Sequence, residues 1–154
     1  MNRFDTSLKY LKLKDLLYVI LYGGVLSILI GVLIGFIDYY LQTQLPVSFA
    51  GILFFLSSMQ IGKMVRRQYE FPHIVYIVIT GFFMVIQAFI IFFFPTVYLT
   101  VLINDMPSLF FSGSLYLYIL ESFIGSLFLS FNINAWLTLL VFVIGVYLGV
   151  KQTY

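Results

Sequence analysis

The chain has 154 residues, 62% of them hydrophobic and 9% charged, with a mean hydropathy of +1.08. Soluble globular domains carry about a quarter of their residues as charges, so this composition excludes an ordinary soluble fold and leaves room for one integral membrane domain. The absence of cysteine and the presence of a single histidine exclude disulfide scaffolds, thiol chemistry and cysteine- or multi-histidine metal sites, and the net charge of +2 flanks apolar runs rather than forming a nucleic-acid surface.

Residues 1–15 carry Arg3, Lys9, Lys12 and Lys14, while Phe4, Leu8 and Leu11 share one helical face. This pattern fits a short amphipathic helix on the membrane surface, with an ordinary charged flank of the first span as the alternative. The apolar run from Leu16 to Ile37 is too long for a signal-peptide core and has no small-x-small cleavage site after it, so it reads as a retained first transmembrane helix. Pro46, Pro72, Pro95 and Pro107 punctuate the rest of the chain. Pro46, Pro72 and Pro107 suit helix first turns, and Pro95 closes a run. The expected fold is therefore all-α, a transmembrane bundle of four or five spans near 16–37, 45–62, 73–94, 107–131 and 133–150.

Basic residues set the orientation. All but Lys151 of the eight lie in the first 67 residues, with Lys63, Arg66 and Arg67 between the second and third apolar runs and none between the first and second. The positive-inside rule then puts the N-terminus and the 63–72 loop in the cytoplasm and Asp38 outside. Tyr18, Tyr22, Tyr69 and Tyr76 would line the inner interface, and Tyr39, Tyr40 and Tyr98 the outer one. From Gln68 to Val150 there is no Lys or Arg, so Lys151 alone votes on the later segments. Four spans place it inside and five place it outside.

The 107–131 segment decides between them. Its many Leu, Ile and Phe residues each favour insertion by roughly 0.3–0.6 kcal/mol, against about 3 kcal/mol for a mid-span carboxylate, Glu121. Its polar face (Ser114, Tyr118, Glu121, Ser122, Gly125 and Ser126) is small and hydroxylated, which suits helix contact better than headgroup contact. This tilts the reading to five spans.

Gly23, Ser27, Gly31 and Gly35 recur every four residues in the first span, and Gly145 and Gly149 repeat the spacing in the last. Small residues on one face let another backbone approach, either within the chain or across an oligomer interface. Lys63, Arg66 and Arg67 serve topology and, as a binding reading, contact anionic lipid headgroups or an acidic partner. His73 beside Pro72 is an interfacial residue or a proton carrier. Glu121 with Ser114 and Tyr118 on its face, and Gln87 in the third span, form a candidate polar path. Asp105 in Asn104-Asp105-Met106-Pro107 is a turn and helix-start signal.

No phosphate-cradling glycine loop, HExxH or GxSxG motif occurs. The expectation is a non-enzymatic, cofactor-free multi-pass protein of the cell membrane. It would act as a subunit, accessory or assembly module of a larger membrane complex, with membrane lipids and a homo-oligomeric or larger membrane-protein partner. The alternative is a small oligomeric transporter or channel using Glu121 and Gln87. The Ile-, Phe- and Tyr-rich composition is of a kind associated with AT-rich bacterial genomes.

Overall fold

A computed structural model of the chain describes residues 11–45, 48–129 and 133–154. Among these every regular element is helical: α1 (Leu13–Ile20), a π-helical turn (Leu21–Val25), α2 (Leu26–Gln44), α3 (Ala50–Arg66), α4 (Ile74–Asn104), a 3-10 turn (Pro107–Phe111), α5 (Gly113–Phe128) and α6 (Ile133–Lys151). The amphipathic segment expected at 1–15 lies mostly outside the described residues. Two stretches, Leu13–Gln44 and Ile74–Asn104, are long and apolar enough to cross a membrane.

The first helical stretch is continuous through the π-helical turn. An extra residue per turn rotates the next face along the helix, and here it puts Gly23 and Gly24 side by side in the interior. A Cβ on Gly24 would lie 2.9 Å from the Phe83 ring on α4. The helix ends at Leu45, where the backbone turns extended.

Two sequence expectations change in α4 and beyond. Pro95 does not close the third helix, which continues to Asn104. Proline inside a helix costs about 3 kcal/mol, but Val97 and Val101 beyond it are buried with Ile119, Leu109 and Phe110. That packing holds the helix past the break in its hydrogen-bond ladder. The stop falls at Asp105, whose backbone is left-handed at φ 51, a conformation Asp tolerates better than most residues. The 107–131 segment is not one helix. Pro107 starts a 3-10 turn, Ser112 is extended, and α5 begins at Gly113.

The core forms three layers along the bundle. Val19, Ile61, Val65, Tyr69, Tyr76 and Met84 make the first; Ile34, Ala50, Phe54, Ala88 and Ile91 the second; and Val97, Val101 and Ile119 the third. The most extensive helix pairs are α2 with α4 and α3 with α6. Lys12, Tyr69, Tyr76 and Thr153 meet at one end, here the near end. Asp38 and the start of α3 meet at the other, the far end. Lys151 therefore sits beside the 66–76 connection.

The α5 helix enters only the far half. Leu115 packs with Val97 and Val101, Phe123 meets Phe93 at 5.9 Å between ring centres, and Phe128 meets Trp136 near the start of α6 at 6.2 Å.

Candidate functional site

Polar side chains gather in three places, and the near end holds the largest group. Tyr69 and Tyr76 stack at 4.9 Å and are buried, rather than lining an interface as their positions suggested. Each ties down a chain segment. Tyr69 donates its hydroxyl hydrogen to the Thr153 carbonyl, and the Tyr76 hydroxyl accepts from the Lys12 backbone N–H at 3.0 Å. Burial raises the Tyr69 phenol above its ordinary value, an effect the Thr153 bond and the nearby Arg66 oppose. His73 caps α4, its Nδ1 accepting from the Val75 N–H at 3.2 Å, while its Nε2 is buried without a partner.

The basic residues of this end have divided roles. Arg66 turns inward, donating to the Tyr69 carbonyl at 2.9 Å with its guanidinium 5.2 Å from the Tyr69 ring centre. Lys12 pairs with Glu70 at 3.1 Å, and that bond raises the Lys12 pKa. Lys63 is exposed on α3. Arg67 and Lys14 both line a cleft of about 400 Å³ between the start of α1 and the 67–70 connection, with Tyr18 and Tyr69 also in its wall.

The interior holds the second group. Gln87 is completely buried and its amide donates to Ser57 Oγ on α3 at 2.8 Å, leaving Oε1 unpartnered. Ser27 Oγ is likewise buried and unpartnered. Ser58 donates to the Gly145 carbonyl at 3.0 Å. Glu121, Ser114 and Tyr118 lie apart from this group, exposed on α5. Gln87 thus faces α3, and the structure does not bring it together with Glu121. Glu121 has no hydrogen bond or ion pair among the described residues.

The third is at the far end. Asp38 is 2% exposed. Its Oδ1 accepts from the Phe49 and Ala50 N–H groups at 2.7 and 2.9 Å, and its Oδ2 from Gln42 at 2.5 Å and Ser48 at 2.9 Å. A carboxylate borrowed from α2 thereby caps α3, satisfying orphan N–H groups and the helix dipole together. Sequence reasoning missed this clasp. Ser48, two residues before Ala50, was the available cap signal.

Every glycine and serine of the two small-residue stripes is buried, and the glycines meet neighbours within the chain. Added Cβ atoms would meet Phe83 at Gly23, Ile90 and the Gln87 carbonyl at Gly31, Phe94 at Gly35, Phe54 at Gly145, and Met84 with the Ser58 carbonyl at Gly149. Two apolar cavities flank α5. One of about 210 Å³ lies against α4 and α6, and one of about 850 Å³ against α2 and α4. Among the described residues no cluster of acidic and histidine side chains could hold a metal ion. No protein-family model, curated protein or solved structure matches the chain.

Proposed function

We propose that the chain is a non-catalytic multi-pass module of the cell membrane, with four crossing helical stretches (13–44, α3, α4 and α6) and α5 applied to the outer half. The observation that carries this reading is inverted polarity. Ser27, Ser58, Thr80 and Gln87 are fully buried, while Leu29, Leu33, Ile52, Val78, Phe82 and Leu140 are each more than half exposed. Exposed apolar surface on every long helix supports a hydrocarbon-facing bundle over a water-facing one. Four crossings put Lys151 on the same side as Lys12, Lys63 and Arg67, in line with the positive-inside rule.

The partner-binding part of the proposal rests on Glu121. An ionised carboxylate near hydrocarbon is costly and needs a partner, and none is supplied within the described residues. The small-residue faces are already filled by this chain's own helices. The outward face of α5, with Ser114, Tyr118 and Glu121, is then where a larger membrane complex is joined. A transport reading would instead draw on the unpartnered Gln87 Oε1 and Ser27 Oγ in the interior.

The protein has no cysteine, so single-cysteine labelling gives its topology. Gln68→Cys and Gln152→Cys are expected to react from the same side of sealed membranes; reaction from opposite sides overturns the four-crossing arrangement. In mild detergent, Glu121→Lys is expected to shed a co-purifying membrane partner. A homo-oligomer that moves solute in liposomes, and loses the flux in Glu121→Gln, would replace the accessory reading with the transport one.

A further inference from the structure

The near-end cleft has a composition that the proposed topology alone does not require. Positive residues that only hold a loop inside can point anywhere in solvent. Here the cations separate. Arg66 is turned inward onto Tyr69 and Lys12 is neutralised by Glu70, whereas Arg67 and Lys14 both line one cleft. Neither has an ion pair or hydrogen bond among the described residues. The carboxylates at the same place are Glu70, engaged by Lys12, and Asp15. The cleft therefore keeps one net positive charge, in the form of two separated donors. Lys14 Nζ also lies 5.9 Å from the centre of the Tyr18 ring, a cation–π contact that aims it along the helix rather than away from it.

The surface beyond the cleft names the ligand. Lys14, Tyr18, Leu21, Val25 and Leu29 succeed one another up a single side of the first helical stretch, and the last four are 40%, 55%, 48% and 61% exposed. At 1.5 Å per residue, Lys14 to Leu29 covers roughly 22 Å along the axis. That is more than half of a hydrocarbon core of about 30 Å, enough for one leaflet. An anion-binding pair, then a tyrosine at the depth of the ester groups, then a bare apolar track is the profile of a whole phospholipid. A free phosphate would use only the first of the three.

We propose that Lys14 and Arg67 form a binding site for the phosphate of an anionic phospholipid, whose acyl chain lies along Leu21, Val25 and Leu29. Arg67 supplies a planar, bidentate fork for the phosphate oxygens and Lys14 a point charge. Tyr18 presents its ring to the chain and its hydroxyl to the interface. The site rests on the proposed membrane embedding, because only an embedded chain brings the apolar track and the cleft to one lipid.

The test is lipid retention by the purified protein, read by native mass spectrometry in detergent with phosphatidylglycerol and phosphatidylcholine added in equal amounts. Phosphatidylglycerol is expected to be retained preferentially. Lys14→Gln and Arg67→Gln should each weaken its retention about fivefold, the ordinary contribution of one basic side chain at an anionic surface, and Lys63→Gln should not. Both cleft residues are exposed, so the fold is kept, and an unchanged melting temperature verifies it. Equal losses with Lys63→Gln, or no preference in the wild type, overturn the site. Competition by soluble glycerol phosphate as effective as competition by the lipid overturns the phospholipid assignment in favour of a soluble phosphate. Extraction by alkaline carbonate would sink the membrane reading itself. A protein that resists carbonate yet shows no phosphatidylglycerol preference loses only the cleft.

Discussion

A Cβ added at Gly62 in the bundle would sit 2.2 Å from the Gly149 carbonyl oxygen, while at Gly113 in the 107–128 arm it would meet nothing within 4 Å. Both regions are built from the same apolar residues, but they pack in opposite ways. In the bundle, glycines at the α3–α6 crossing bring two backbones together, and Ser58 reaches across to the Gly145 carbonyl. In the arm, contacts are made by ring edges such as Phe93 with Phe123, and cavities of about 210 and 850 Å³ remain on its two sides. Hydrophobicity alone does not make a tight helix pair where the surroundings are equally apolar. Close approach does, and small residues permit it.

The sharpest way to break this comparison is a methyl group in each region. Gly62→Ala must push the backbone of α6 away, and a loss of about 3 kcal/mol, the upper end of ordinary overpacking, is expected. Gly125→Ala in α5 has its nearest neighbour at 3.9 Å and should raise stability by roughly 0.5–1 kcal/mol through helix propensity. Denaturant titrations in detergent, read by circular dichroism for the bundle and by Trp136 fluorescence for the arm, separate the two. Equal responses would mean that the bundle is no tighter than the arm.

Next in size is the far-end clasp. Asp38→Ala strips the Phe49 N–H of its acceptor and leaves the Ala50 N–H only Ser48 Oγ at 3.3 Å, and a cost of roughly 2 kcal/mol is expected. Asp38→Asn should recover part of it. If Asp38→Ala unfolds like the wild type, the carboxylate does not hold α3.

Smaller, and of opposite sign for two partners, is the Gln87–Ser57 pair. Ser57→Ala leaves the buried Gln87 amide without its acceptor, at about 1–2 kcal/mol. Gln87→Leu removes an already half-satisfied group, and Ser57 keeps its bond to the Phe54 carbonyl at 2.9 Å. That variant should therefore be neutral or slightly more stable. A large loss in Gln87→Leu would mean that Oε1 has a partner beyond the described residues.

The smallest expected effect is alkaline. Because the Tyr69 phenol is raised on folding from an ordinary value of 10.0, its contribution is complete below that pH and is lost as pH climbs through the raised value. The wild-type melting temperature should fall above pH 10 more steeply than that of Tyr69→Phe. Parallel curves would remove Tyr69 as the cause.

Much of the bundle was legible in the sequence. The apolar runs located each long helix, because hydrophobic length needs no knowledge of neighbours. The recurrence of Gly23, Ser27, Gly31 and Gly35 marked a packing face, because four-residue spacing keeps side chains on one side of a helix. What faced that stripe was not legible: Phe83, Ile90 and Phe94 come from a helix some 60 residues away. Pro95 misled because local propensity cannot see that Val97 and Val101 are buried beyond it. Asp38 read as an acid between the first two spans because the Ser48, Phe49 and Ala50 groups it holds are ten to twelve residues on.

The separation of the cations shows where the two levels divide. Charge count and position along the chain are enough to predict that Lys63, Arg66 and Arg67 share one side, since the positive-inside rule depends on number and proximity to a span. Which of them remains available for a ligand depends on direction. Arg66 is drawn onto Tyr69, three residues on, by the turn after α3. Only the tertiary structure matched Lys12 to Glu70 and brought Arg67 and Lys14 to one cleft, because contacts between residues more than fifty positions apart exist only after the helices have packed. The same holds for Lys151. By itself it is one weak vote on topology, and the Tyr69–Thr153 bond is what sets it beside the other basic residues.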